Sequence, residues 1–276
     1  MTDPWNTGAL DLDAYLARLG VSAAAPSVEA LAELQQAHVR AFTFDNIDVL
    51  LEDHPGVGLP AVQEKFVGRG RGGYCFEHTT LFAAALQRLG YDVVRHLGRV
   101  GDPLEAPRTH AVTVVTLGAE RWLADAGFGM SPLGPIRMRD GAEDDTGGWT
   151  HRLRRVEGRA DGPTWELHRD RDGHWELMHT TDELVVRPVD LVMGHHMTST
   201  FPTSHFRRTL MITRHLDGCH VTVTHEHVTT RRPGRPTELR PLRDGELGDQ
   251  LDALGVPLSA DRRAALIEVA ARLPRS

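Results

Sequence analysis

The sequence predicts an α+β protein whose helices and strands are segregated along the chain. Three observations carry this. Helical periodicity fills roughly the first 90 residues, β-branched and alternating segments follow from about residue 110, and helical spacing returns after about residue 245. Separate runs of this kind suit α+β and not a doubly wound α/β sheet, in which helices and strands alternate.

Leu12, Tyr15, Leu16 and Leu19 follow the i, i+3, i+4, i+7 spacing of one buried helix face, and Gly20 stands where a C-terminal cap belongs. A second helix starts at Ser27, after Pro26, and a short third one carries Val62 and Phe66. The fourth runs from Cys75 to Leu89, with Phe82, Ala85, Leu86 and Leu89 on one face and Gly90 behind it. Val112 to Thr116 is β-branched throughout and predicts a strand. Trp122 to Asp125 is a second apolar run, and the Asp- and Gly-rich stretch from Arg139 to Gly148 predicts a surface loop. Thr164–Arg169 and His174–Thr180 predict a hairpin closed at Asp172-Gly173, and His220–Val228 a further strand. In the tail, Leu247, Leu251 and Leu254 precede Gly255, while Leu266, Val269, Ala270 and Leu273 share one helix face. No repeat or low-complexity segment interrupts this order.

The 276 residues, 40% apolar and 25% charged, have the composition of a globular protein of one large or two to three small domains. Disorder and collagen-like structure are excluded. No apolar run approaches the roughly 18 residues that span a bilayer, and Met1 to Leu10 lacks the basic start and apolar centre of a signal peptide. A cytoplasmic enzyme or binding protein with no membrane partner is expected. Lys and Arg number 31 against 38 Asp and Glu, a net charge of −7, which argues against a nucleic-acid partner. Lys65 is the only lysine. The two cysteines, Cys75 and Cys219, are expected as free thiols, and they are too few for a cysteine-rich zinc site.

Chemistry concentrates in Arg71-Gly72-Gly73-Tyr74-Cys75-Phe76-Glu77. Two glycines allow a tight, positive-φ approach to a helix that begins at or next to Cys75. A thiol there meets unpaired backbone N–H groups and the positive end of the helix dipole, both of which favour thiolate. The alternative is a buried small hydrophobe. A nucleophilic cysteine needs a base, and the base an orienter. His110 opens the best strand candidate, His110 to Leu117. If Gly118-Ala119 closes a two-residue type II′ hairpin, Leu117 faces Glu120 and Asp125 falls opposite Val112. His110 and Asp125 then project from one face as diagonal neighbours, roughly 7–8 Å apart at Cα. A three-residue loop would put them on opposite faces. If the pair meets Cys75, the three make a Cys-His-Asp triad in which Asp125 fixes the imidazole tautomer and the other ring nitrogen takes the thiol proton. The alternative is a surface histidine and a strand-end aspartate.

These residues resemble the arylamine N-acetyltransferase family. Residues 71–77 look like its nucleophile signature, Thr109-His110-Ala111-Val112 like its histidine segment and Asp125-Ala126-Gly127-Phe128-Gly129 like its aspartate segment, in the right order. Phe42-Thr43-Phe44-Asp45-Asn46, Leu89-Gly90-Tyr91, Gly98-Arg99-Val100 and Ser204-His205-Phe206 extend the likeness over roughly residues 10 to 230.

The resemblance implies an N-terminal helical bundle (1–90) carrying the nucleophile, a central β-barrel (91–195) carrying the histidine and aspartate, and a C-terminal α/β lid (196–276). It implies ping-pong acetyl transfer, with acetyl-CoA as acyl-donor substrate, no tightly bound cofactor, and an arylamine, arylhydrazine or N-hydroxyarylamine as acceptor. Cys75 would be nucleophile, His110 base and Asp125 orienter, with the Cys75 backbone N–H at an oxyanion hole. Phe44, Val100, Phe128 and Phe206 would line an apolar substrate pocket that keeps water from the acetyl-enzyme.

Thr79 departs from the family, where an asparagine is frequent. The usual glycine-rich phosphate grip is not legible. With Lys65 alone, any CoA phosphate contact must use arginine, backbone or loop groups. Arg232-Pro233-Gly234-Arg235 is basic and reads as an exposed turn, and Cys219 reads as a spare thiol in a turn-like run. His225-Glu226-His227 places two histidines on one strand face, and His195-His196 are adjacent, but neither has a third ligand, so no metal is expected. The competing readings are a related amide synthase that releases a macrocyclic amide, a cysteine hydrolase on the same triad, and a non-enzymatic binding protein with an inert thiol. Homo-oligomerisation is left open.

Overall fold

The computed structural model describes residues 3–157 and 162–275. Helix α1 (Leu12–Leu19) is capped by the Asp11 side chain, which accepts the Ala14 N–H at 2.9 Å, and closed by Gly20 in the left-handed region at φ 71°. Helix α2 (Val28–Ala41) starts at the Ser27 cap. Then come strand β1 (Phe44–Asp45), helices α3 (Ile47–Leu50) and α4 (Leu59–Gln63), a π-turn over Glu64–Gly68, and α5 (Cys75–Arg88). Tyr15, Leu31, Phe42, Phe66 and Phe82 pack into one apolar core beneath α5.

Eight strands follow in a sheet of order β5-β4-β3-β2-β9-β8-β7-β6, every neighbouring pair antiparallel. They are β2 (Asp92–Arg99), β3 (Arg108–Leu117), β4 (Glu120–Leu123), β5 (Ile136–Arg137), β6 (Ala142–Asp144), β7 (His151–Val156), β8 (Thr164–Arg171) and β9 (His174–Asp182). The edge strand β5 packs against β6 and β7, so the sheet nearly closes into a barrel. Helices α6 (Pro188–Thr200) and α7 (His205–Arg208) lead to β10 (Met211–Leu216), β11 (Cys219–Thr224), β12 (His227–Arg231) and β13 (Glu238–Pro241). These form a second sheet, β1-β10-β11-β12-β13, covered by α8 (Leu247–Ala253) and α9 (Ala260–Arg272). Helix α6 runs unbroken across residue 195. Among the described residues no helix is long and apolar enough to cross a membrane.

Turn chemistry sets the registers. Gly118 has positive φ and Ala119 does not, as a type II′ loop requires, and Leu117 pairs with Glu120 and Val114 with Leu123. In the β8–β9 hairpin both Asp172 (φ 53°) and Gly173 (φ 85°) are left-handed, the type I′ pattern.

Several expected elements differ. The first 90 residues are not wholly helical, because β1 pairs with β10. Two residues are too few to show a period of two. The stretch Arg139–Gly148 is not all loop: it holds β6 and a 3₁₀ turn over Thr146–Gly148. His220–Val228 is two strands. The Thr224 hydroxyl accepts the N–H groups of Glu226 and His227 at 3.2 and 2.9 Å and turns the chain, so His225 and His227 do not share a strand face. Cys219 opens β11, and the turn is Asp217-Gly218.

Candidate active site

The N-terminus of α5 is held from below. Neither Gly72 nor Gly73 has positive φ; both are needed for close approach instead. A Cβ on Gly72 would collide with the Thr43 carbonyl oxygen, and one on Gly73 with the Glu77 carboxylate. Glu77 Oε2 accepts the Tyr74 N–H at 3.1 Å, capping the helix that starts with Cys75. The same carboxylate takes Lys65 Nζ at 2.7 Å and His54 Nε2 at 3.2 Å, and Lys65 reaches on to Asp48 at 2.8 Å. Burial opposes the charge on Glu77, but Lys65 and His54 outweigh it and hold the carboxyl down to about 2.

Cys75 is buried as the first residue of α5, its sulfur 3.5 Å from the Thr109 carbonyl. Thr79, one turn further, donates its hydroxyl to the Ala111 carbonyl at 2.8 Å and ties α5 to β3 beside His110. His110 Nε2 donates to Asp125 Oδ2 at 2.9 Å, and His110 and Cys75 line the same cavity. With Nε2 on the carboxylate, Nδ1 is the nitrogen left for sulfur. Burial works against a charged imidazole here, but Asp125 and Cys75 raise His110 up to about 10. Burial likewise opposes ionisation of Asp125, yet His110 and His179 keep it far below the usual carboxylate range.

Sequence reasoning missed His179. It lies on β9 and donates Nε2 to the same Asp125 oxygen at 2.9 Å, while Thr181 Oγ1 donates to its Nδ1 at 3.1 Å. Burial lowers its basicity, which fits a neutral ring. Strand β2 brings it there: Gly98 pairs with His110 on one side and with Thr181 on the other. Asp125 Oδ1 takes the Gly127 N–H at 3.1 Å, so both carboxylate oxygens are engaged. Ligand atoms of His110, Asp125 and His179 lie within 4.8 Å of one another, a spacing a cation could also use, but here they are hydrogen-bonded to each other. The other histidines singled out lie elsewhere: His195 bonds the Tyr74 hydroxyl, and His225 donates to the Pro274 carbonyl at 2.9 Å.

Cys75 and His110 border a largely apolar cavity of about 580 Å³. Phe44, Val100, Phe128 and Phe206 all line it, Val100 at the exposed rim. The Phe128 ring meets His110 edge-on at 5.1 Å between centroids. Met197 and Phe201, from the end of α6, complete the wall. No local motif marks them, since α6 is apolar on more than one side.

The sequence model of the N-acetyltransferase family matches residues 27–261. An arylamine N-acetyltransferase / N-hydroxyarylamine O-acetyltransferase of Salmonella typhimurium is 38% identical, over 82% of this chain and 81% of that protein. The chain belongs to the arylamine N-acetyltransferase family. Its fold matches the arylamine N-acetyltransferase of Mycobacterium abscessus at a TM-score of 0.91 and 36% identity, covering 97% of each chain. It also matches the Mycobacterium marinum enzyme solved in complex with CoA, at a TM-score of 0.85 and 32% identity over 94% of this chain and 98% of that one.

Proposed function

We propose that this protein moves an acetyl group from acetyl-CoA to an arylamine or arylhydrazine through an acetyl-thioester on Cys75, with His110 as acid–base and Asp125 as its orienter. The relatives named for arylamine acetylation and the CoA complex support the substrate classes. One observation carries the mechanism: a sulfur and an imidazole border one apolar cavity, and that imidazole is hydrogen-bonded to a buried carboxylate behind it.

The chemistry follows from that order. Cys75 thiolate attacks the thioester carbon. As the first helical residue, Cys75 keeps its backbone N–H outside the helical ladder, free to face the developing oxyanion. The C–S bond to CoA breaks, and His110 delivers its proton to the departing thiolate. The now neutral imidazole takes a proton from the amine as it attacks the acetyl carbon, and Cys75 leaves as thiolate beside imidazolium. Phe44, Val100, Phe128 and Phe206 hold the aromatic ring and exclude water from the acetyl-enzyme.

Steady-state kinetics test this reading. Double-reciprocal plots at several arylamine concentrations should be parallel, and free CoA should appear before any amine is added. Intersecting lines, with CoA released only when amine is present, would refute a two-step transfer.

A further inference from the structure

The loop that follows β4 touches every member of the triad. Asp125 itself bonds His110. A Cβ on Gly127 would press to 3.1 Å from the Cys75 carbonyl oxygen and 3.2 Å from its Cα, so the loop lies directly against the nucleophile. Phe128 meets the His110 ring edge-on and lines the cavity. Yet the loop belongs to no sheet. It runs between β4 and β5, and among the described residues the backbone of 125–134 forms no hydrogen bond to other backbone. Its buried carbonyls must then be satisfied by side chains.

Gln35 of α2 holds the far end, donating to the Pro132 and Gly134 carbonyls at 2.9 and 3.0 Å. The near end is held by the β10–β11 hairpin. His220 Nε2 donates to the Gly129 carbonyl at 2.9 Å, and the Thr213 hydroxyl donates to the same oxygen. His215 Nε2 donates to the Ser131 carbonyl at 3.1 Å. The Ser131 hydroxyl in turn accepts the Phe128 N–H at 2.8 Å and donates to the Phe128 carbonyl at 2.7 Å. Both lines converge on Phe128: Ser131 clasps its backbone, and the next residue is fixed by His220 and Thr213. The arrangement is built into the sheet, since His215 and His220 face each other across β10 and β11, with ring centroids 4.6 Å apart. Burial holds both rings far below the ordinary imidazole range, His215 down to about 3, so each is neutral and carries one N–H. The carbonyl contact assigns that proton to Nε2. Among the described residues Nδ1 of neither ring has a partner, so the bond to the loop is the one each ring makes. His220 also borders the cavity, but its one N–H is committed to Gly129, which suits a positioning role and not acid–base chemistry.

We propose that His215, His220 and Thr213 are positioning residues for the acceptor: they fix Phe128 edge-on to His110 and so set the wall against which the arylamine ring packs. The inference rests on the acyl-transfer reading. It gives the C-terminal sheet a part in the reaction beyond covering the cavity. A reacting amine must be held within a few tenths of an ångström of its productive place, and a loop without a backbone ladder owes such precision to its side-chain anchors.

The test is a double-mutant cycle on kcat/KM for one arylamine, with wild type, His220→Leu, Phe128→Leu and the double variant. Loss of one buried hydrogen bond should lower kcat/KM about fivefold in His220→Leu. His220→Gln, whose amide N–H reaches the same carbonyl, should stay within about twofold of wild type. In the Phe128→Leu background, adding His220→Leu should lower kcat/KM by less than about twofold, because the ring it positions is gone. An effect of the same size in both backgrounds overturns the proposal, as does a His220→Gln no better than His220→Leu, or an unchanged kcat/KM in folded His220→Leu. If circular dichroism shows that His220→Leu does not fold, the isosteric Thr213→Val, which removes the other donor to Gly129, decides by the same cycle. Exposure of wild type to acetyl-CoA separates the two levels. If Cys75 is acetylated and then discharged by the amine while the two substitutions act independently, the positioning role alone fails; if Cys75 is not acetylated, the acyl-transfer reading fails and takes this proposal with it.

Discussion

His179 Nε2 and Asp125 Oδ2 lie 2.9 Å apart, on the carboxylate oxygen that also receives His110 at 2.9 Å. Asp125 is thus oriented by one imidazole while it orients another. His179→Phe keeps a ring of similar size but removes the donor. A hydrogen bond to a buried carboxylate contributes about 1.5–3 kcal/mol, so kcat should fall about tenfold or more while KM for the amine changes little. The pH profile of Cys75 alkylation should move as well, which a purely structural role would not cause. An unaltered kcat and profile would remove His179 from the machinery.

His110→Ala should depress acyl transfer by about 10²–10⁴, the usual range for a positioned acid–base group. Iodoacetamide labelling of Cys75, followed by mass spectrometry across pH 5–9, should shift to higher pH in this variant. A labelling profile identical to wild type would contradict the thiolate–imidazolium pair.

The same pair predicts a stability signature. His110 sits at about 10 when folded, above its ordinary 6.5. Its pairing with Asp125 therefore stabilises the fold fully below about pH 6.5, and that contribution is lost as pH rises toward 10. Urea unfolding of wild type and His110→Gln should show a stability difference that shrinks from pH 7 to pH 10. A difference constant over that range would show that His110 is not a cation in the fold.

Glu77 gives the opposite sign. It is held at about 2 against an ordinary 4.5, so its contribution is present above about pH 4.5 and is lost as pH falls toward 2. Lys65→Met should remove the cation between Glu77 and Asp48 and destabilise the fold by about 3–5 kcal/mol, the cost of breaking a buried pair by deleting one partner. Chemical denaturation at pH 7 measures it. A loss below about 1 kcal/mol would mean that the network contributes no more than an exposed ion pair.

What could be read from the sequence was local. Gly118-Ala119 set the β3–β4 register, and that register carried Asp125 toward His110. Ser27 and Gly20 marked helix ends, and Asp172-Gly173 marked a hairpin. The remainder depends on contacts far apart in the chain. His179 reaches Asp125 only because β2 pairs with both β3 and β9. Lys65, which composition alone would place on the surface, is buried between Glu77 and Asp48 because α5 and α3 close over it. No spacing rule along one strand encodes such a meeting.

The most direct test of the whole account is intact-protein mass spectrometry after brief exposure to acetyl-CoA without amine. One adduct of about 42 Da, mapped to Cys75 and discharged on adding an arylamine, is the result expected of a covalent acetyl-enzyme. An unmodified Cys75 in folded protein, with acetyl-CoA unconsumed, would contradict it.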